Sequence, residues 1–211
     1  MRVRRPGSSD SVVRGAAVCL TCFVAVVLLE HAIRHELAPG RHRVSEYAVG
    51  SGGWLMTTGF VAWAASFALT SMALRHARLR PRPVASLLVS LMAICAIGAV
   101  GTAAFETGTS AGMVPPGQEL TAANQAHDVA SGALQLSLFA AVVSSMAISE
   151  NRRLRTTTAA FLGLAAVISV LFSGALLDLP GARQRALLGV AWLWQLLLLR
   201  AIHAAFRARA F

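Results

Sequence analysis

The sequence predicts an all-α membrane protein, a polytopic bundle of six transmembrane helices with both termini in the cytoplasm. The 211-residue chain is 56% hydrophobic and only 13% charged, with a mean hydropathy of +0.63. That composition is too apolar for an ordinary soluble domain. The apolar residues fall into runs of about 20, the length that a helix needs to cross roughly 30 Å of hydrocarbon. All basic residues are arginine, and most of them cluster at the ends of these runs.

Six apolar runs are long enough to predict membrane-spanning helices. Lipid leaves a backbone only two ways to satisfy its hydrogen bonds, a helix or a closed barrel. The runs show no alternation of polar and apolar residues that would favour a barrel. The predicted spans cover residues 11–33, 53–74, 84–105, 127–148, 158–177 and 186–206. We expect them to form one domain over residues 1–211.

The arginine distribution predicts how the bundle is oriented. Of the 19 arginines, 14 lie near the N-terminus, in the second and fourth connections, or near the C-terminus. The positive-inside rule therefore predicts a plasma-membrane protein with cytoplasmic termini. The net charge of +10 does not indicate nucleic-acid binding, because no nucleic-acid-binding motif accompanies it. The partner that this pattern predicts is the lipid bilayer.

The first connection, "RHELAPGRHRVSEYAVGSGGW", is then exoplasmic and unusually rich in charge for this chain. Ser45 is expected to be the N-cap of a short interfacial helix. Trp54 is expected to anchor the second span at the lipid headgroups.

Four carboxylates are predicted at one level of the bilayer. Glu30, Glu106, Asp128 and Asp178 each lie near the outer end of a different span. An acid at a helix end close to water costs little, so each could simply be hydrated. The alternative is that they contribute to a shared site.

A polar stripe is predicted on the fourth span, within "TAANQAHDVASGALQ". Asn124, His127, Asp128, Ser131 and Gln135 recur there at three- and four-residue spacing. Because such groups would be unsatisfied against lipid, the stripe should face the bundle interior. It indicates either an outward-facing polar cleft or hydrogen bonding between helices. The residues expected to line the cleft are Glu30, Ser45, Asn124, Ser131, Gln135 and Asp178.

Histidines near the same level raise the possibility of a divalent metal such as zinc. The candidate ligands are His31, His35, His127 and Asp128, although the spacing is loose and no H-E-x-x-H motif is present. Glu106, His127 and Asp128 are the candidate catalytic residues for acid-base chemistry. Haem is not expected, because no histidines face each other at mid-depth of the spans.

Short motifs resemble a known family. The chain contains "HRVSEYAVG" before "GWLMTTGFVAWAASFAL", then "AAFETGTS" and "TAANQAHDVAS". Over residues 18–200 it resembles the bacterial membrane proteins grouped as domain of unknown function 998. The family's motif positions correspond here to Ser45, Gly53 and Trp54, Phe105 and Glu106, and His127. The family usually has an F-x-x-D pattern at the end of the third helix, whereas Glu106 directly follows Phe105. The resemblance implies six helices and no particular activity.

Three classes of function fit these features, and the sequence does not decide whether the protein is an enzyme. The first is an outer-leaflet site for a lipid or small molecule, with or without metal-assisted chemistry. The second is an accessory or structural membrane protein, and the third is a small transporter. The inner halves of the spans carry mainly Ser and Cys, which favours a cleft closed at its inner end over a path across the membrane.

Overall fold

The computed structural model describes residues 7–77, 79–148, 152–172 and 177–208, and its regular structure is helical throughout. The elements confirm the predicted all-α class. The six α-helices are α1 (Gly7–Ile33), α2 (Trp54–Ala77), α3 (Arg82–Ala104), α4 (Ala122–Ile148), α5 (Arg152–Leu171) and α6 (Pro180–Arg207). One short 3-10 helix, Val44–Ala48, lies between α1 and α2.

Five helices, all but α5, are long and apolar enough to span a membrane. The apolar part of α5, Arg155–Leu171, is shorter. The predicted fifth span ended at residue 177, and its residues 173–176 lie outside the described chain. Five of the six helices begin earlier than predicted, by two residues in α3, four in α1, five in α4 and six in both α5 and α6. In α6 the reason is Pro180, whose fixed φ suits the first turn of a helix.

Helices α1 to α4 pack consecutively as antiparallel neighbours, and α6 returns against α1 and α2, with α5 between α4 and α6. The α1–α2, α3–α4 and α5–α6 connections therefore lie together at one end of the bundle, here called the loop end. At the opposite end α1 begins and α6 finishes, where His203 Nδ1 lies 3.2 Å from Asp10 Oδ1.

An aromatic cluster joins α1, α2 and α6. The ring of Phe23 stacks on Trp63 with centroids 4.4 Å apart, and it meets Trp192 edge-on at 5.5 Å. Offset and edge-on aromatic pairs add to the free energy gained by burial alone. The cluster therefore fixes α6 against the first helix pair.

Buried hydrogen bonds also join the helices. Gln195 on α6 donates to Ser66 Oγ at 3.0 Å, and Ser66 in turn donates to the backbone oxygen of Ala16. Trp194 Nε1 donates to Ser145 Oγ on α4 at 3.2 Å. In lipid such pairs satisfy polar groups that would otherwise have no partner. Some of the serines within the predicted spans therefore form hydrogen bonds between helices.

Glycines on α3 allow its close approach to α4. A Cβ added at Gly98 would lie 2.7 Å from the backbone oxygen of Ala130 and 2.9 Å from Leu134 Cβ. One at Gly101 would meet Ala130 Cβ at 2.6 Å. Small residues at such crossings are what let two membrane helices pack closely.

Replacing Gly98 by Ala should therefore destabilise the bundle. Overpacking typically costs about 1–3 kcal/mol, so the thermal unfolding midpoint in detergent should fall. The matched control is Gly132→Ala on α4, where nothing lies within 4 Å of the added Cβ. Its midpoint should stay the same or rise slightly, since Ala is the better helix former. Equal midpoints for the two variants would contradict the close α3–α4 packing.

Candidate functional site

The first connection is a folded cap over the loop end, not a loose loop. Tyr47 is almost fully buried, and its hydroxyl donates to the backbone oxygen of Leu37 at 2.6 Å. Burial raises the pKa of Tyr47, so the phenol stays protonated and remains a donor. The short helix predicted here is present, but the prediction of Ser45 as its N-cap is wrong. The N-cap residue of this 3-10 helix is Arg43, and Ser45 lies buried within the helix.

The carboxylate of Glu46 joins this cap to the α3–α4 connection. It is buried and accepts hydrogen bonds from the backbone N–H groups of Ala111 and Gly112, at 2.8 and 2.9 Å. Thr109 Oγ1 donates to it at 3.2 Å, and His42 Nδ1 lies 2.8 Å away. Hydrogen bonds to a carboxylate are stronger than neutral ones. One side chain thus holds two connections that are far apart in sequence.

Arg185, on the first turns of α6, organises the other side of the cap. Its Nε donates to His31 Nε2 at 2.7 Å, and its Nη1 donates to the backbone oxygens of Pro39 and His42. The guanidinium also lies 5.2 Å from the ring centroid of Tyr47. Since an arginine can only donate, the accepting nitrogen of His31 is occupied by this contact.

Two more hydrogen bonds fix the beginning of α6 to the cap. Gln184 Oε1 accepts from the backbone N–H of Val44 at 2.7 Å, and the N–H of Ala182 donates to the oxygen of Gly40 at 2.9 Å. Next to these bonds, a Cβ added at Gly181 would collide with the backbone oxygens of Pro39 and His42. Only glycine permits so close an approach.

Beneath the cap lies a cavity of about 360 Å³, bounded by α2, α4, α5 and α6. Its loop end is polar and carries both signs of charge. Its deeper part is apolar. The polar residues include Arg43, Ser45, Thr107, Asp128, Arg183 and Gln184. The apolar ones include Phe60, Trp63, Leu138, Val142, Phe161 and Trp194.

His127 lies in the wall of this cavity and is almost fully buried. Its Nδ1 lies 2.7 Å from the backbone oxygen of Phe105. Because a carbonyl can only accept, we assign the ring proton to Nδ1. Nε2 is then the acceptor that a neutral His127 offers to a ligand.

The structure brings some of the sequence-predicted residues together at the cavity and leaves others elsewhere. Ser45, His127, Asp128, Ser131 and Gln135 line it. The stripe on α4 is thus largely a cavity wall. Six predicted residues are not among those that line it: Glu30, His31, His35, Glu106, Asn124 and Asp178.

His31 accepts from Arg185, and three others of these six have clear positions. Asn124 helps to start α4: its Oδ1 accepts from the N–H and hydroxyl of Thr121, while its own N–H donates to Thr121 Oγ1. This reciprocal arrangement is a capping box. Glu30 is buried at the end of α1, and its Oε1 has no hydrogen-bond partner in the described chain. Glu106 is exposed, and its backbone oxygen accepts from Asn124 Nδ2.

The four carboxylates do lie at the loop end, but they do not form one group. Asp128 is exposed but lines the cavity, Glu30 is buried outside it, and Glu106 and Asp178 are exposed away from it. His35 is exposed as well. Within the part of the chain that the structure describes, no three His, Cys, Asp or Glu side chains are grouped as a metal site requires. The zinc site therefore stays a prediction without support from this arrangement.

The sequence did not reveal five residues of the cap and the cavity lining: Arg43, Glu46, Arg183, Gln184 and Arg185. Arg183 and Arg185 were assigned to a connection, whereas they lie on the first turns of α6. Leu-Pro-Gly at 179–181 could have revealed this, because proline is favoured at the first helical position. For Glu46 only the contact with His42 is local, since Thr109, Ala111 and Gly112 lie more than 60 residues away.

The fold and the cavity define an integral membrane protein of the multi-pass helical class. The chain belongs to the family described as Protein of unknown function (DUF998), whose model matches residues 17–201. This match confirms the resemblance found in the sequence. No curated protein and no solved structure matches the chain.

Replacing Glu46 by Ala should loosen the α3–α4 connection. Two backbone N–H groups would lose their acceptor, and each buried donor left unpaired costs about 1–3 kcal/mol. We expect a lower unfolding midpoint and faster proteolytic cleavage between residues 107 and 113. Glu36→Ala is the control, because Glu36 is exposed and bonds only to Arg34 in the same connection. If the two variants were cleaved equally slowly, Glu46 would not hold this connection.

Proposed function

We propose that this protein binds an amphiphile, with the hydrocarbon chain in the deep part of the cavity and the polar group at the loop end. The observation that carries this proposal is the change in lining along one cavity, from charged and amide side chains to aromatic and aliphatic ones. A membrane-embedded cavity of this kind matches a molecule with one polar and one apolar end. Ligand sites are generally concave and mostly apolar, with a few polar groups that orient the ligand.

The length of the cavity supports an acyl chain. Its lining on α4 extends from His127 to Val142, which is roughly 22 Å of helix at about 1.5 Å per residue. On α6 it extends similarly, from Pro180 to Trp194. A long hydrocarbon chain lying parallel to the helices fits this shape better than a compact polar solute does.

Transport across the bilayer is the weaker alternative. Beyond the deep end of the cavity, the buried polar groups on α2, α4 and α6 bond to one another. Gln195 is engaged with Ser66 and Thr70, and Trp194 with Ser145. Paired groups of this kind do not offer a solute a hydrated path. This arrangement favours a cavity that ends within the bundle.

One feature supports metal-assisted or acid-base chemistry. With the ring proton assigned to Nδ1, the Nε2 of His127 is free to accept a proton or to bind a metal. Among the residues described, Asp128 is the only carboxylate that lines the cavity beside it. A binding role needs no further groups, whereas hydrolysis needs an activated water and a stabilised leaving group. Binding is therefore the function proposed.

The orientation belongs to the same proposal. The five arginines of the predicted first and fifth connections all lie at the loop end, whereas described arginines of the other groups, such as Arg82, Arg155 and Arg207, lie at the opposite end. By the positive-inside rule the loop end faces outward from the plasma membrane. The ligand would then come from the outer leaflet.

Cysteine labelling in intact cells tests this orientation. Glu119→Cys, an exposed position at the loop end, should react with a membrane-impermeant thiol reagent. Pro83→Cys, exposed at the opposite end, should react only after the membrane is permeabilised. The reverse pattern would place the cavity mouth in the cytoplasmic leaflet.

Filling the cavity tests the binding. Ala165→Phe on α5 places an aromatic ring in the cavity. The amount of lipid that stays bound through purification should then fall several-fold, as measured by native mass spectrometry. Val167→Phe is the matched control, two residues along the same helix, exposed and outside the lining. Its bound lipid should equal that of the unmodified protein. Equal retention by both variants would contradict the cavity as the binding site.

A further inference from the structure

Two arginines lie at the polar end of the cavity without an ion-pair partner. Arg43 and Arg183 both line it, and both are half-buried. Within the described chain the ion pairs are Arg34–Glu36, His42–Glu46 and His203–Asp10, so neither arginine is in one. The one side-chain hydrogen bond of Arg183 is a long one, 3.4 Å from Nη1 to the oxygen of Phe172.

Contacts of their neighbours place the two arginines in the same part of the cavity lining. Val44 and Gln184 are hydrogen-bonded at 2.7 Å, and each arginine immediately precedes one of these residues. A second contact agrees: a Cβ at Gly112 would lie 2.9 Å from Pro180 Cγ and 3.5 Å from Arg43 Nε. Arg43 therefore lies against the first turn of α6, and Arg183 follows on the same turn.

We propose that the polar group of the ligand is the phosphate of a phospholipid, held between Arg43 and Arg183. This inference rests on the amphiphile-binding function proposed above. The planar guanidinium donates paired hydrogen bonds that match phosphate oxygens, and arginine is the usual residue for that recognition.

Other charges around the mouth agree with a phosphodiester. Asp128 is the only carboxylate among the described lining residues, so the lining carries one more positive than negative charge. The Glu46 carboxylate is close by but is already occupied by four donors. The beginning of α6 adds the positive end of a helix dipole. A single negative charge on the ligand balances this lining.

The first experiment compares two lipids that share their acyl chains, phosphatidylglycerol and diacylglycerol, on the delipidated full-length protein. Binding is measured by native mass spectrometry. The unmodified protein should prefer the phosphate-bearing lipid by about tenfold, the scale of one good charge-assisted contact. This comparison changes the ligand alone, so it does not depend on any variant folding.

The second experiment repeats the comparison with Arg43→Gln/Arg183→Gln. The preference for phosphatidylglycerol should largely disappear, while diacylglycerol binding stays unchanged. Arg41→Gln is the control: it removes one arginine from the connection that carries Arg43, but Arg41 is exposed and does not line the cavity. The control should keep the full preference.

The outcomes separate the two proposals. Equal binding of the two lipids by the unmodified protein, or a preference that Arg41→Gln reduces as much as the double variant does, would overturn the phosphate site and leave amphiphile binding intact. If Ala165→Phe reduces the binding of neither lipid, the proposed function itself is overturned. A preference lost only in the double variant supports both.

Discussion

The Glu46 carboxylate is the interaction on which the loop end depends. It is a buried carboxylate in an apolar protein, and burying such a group costs free energy unless hydrogen bonds compensate for the lost water. Here the partners come from His42 and from the Thr109–Gly112 segment of the α3–α4 connection. Satisfying one carboxylate therefore fixes the relative position of the two connections. Ser45 and Thr107, which line the cavity, lie in the segments that it holds.

The second constraint is the way α6 begins. Arg185, Gln184 and Gly181 attach its first turns to the cap formed by the first connection. At greater depth, aromatic stacking and buried hydrogen bonds hold α6 against α1, α2 and α4. Helix α5 lies between α4 and α6 and contacts them less extensively than α1 to α4 contact one another. The side of the bundle formed by α5 is therefore the more open one. The cavity occupies that side.

The cap and the bundle thus contribute different parts of the proposed site. The cap and the beginning of α6 supply charged and hydrogen-bonding side chains, whereas the rest of the helices supply an apolar volume. His127 connects the two: one ring nitrogen faces the end of α3, and the ring itself lines the cavity.

The sequence by itself determined the helical class, the six helices and where most of them end, because the length of an apolar run in lipid allows little else. It also determined that α4 carries a polar face, since residues three and four apart share one side of a helix. Only the tertiary structure decided which polar groups meet. Asn124 and His127 lie one turn apart on that face, yet one caps the helix and the other lines the cavity. Glu46, Arg43 and Arg183 were not recognised as site residues, because their roles depend on contacts between segments distant in sequence, which no local spacing encodes.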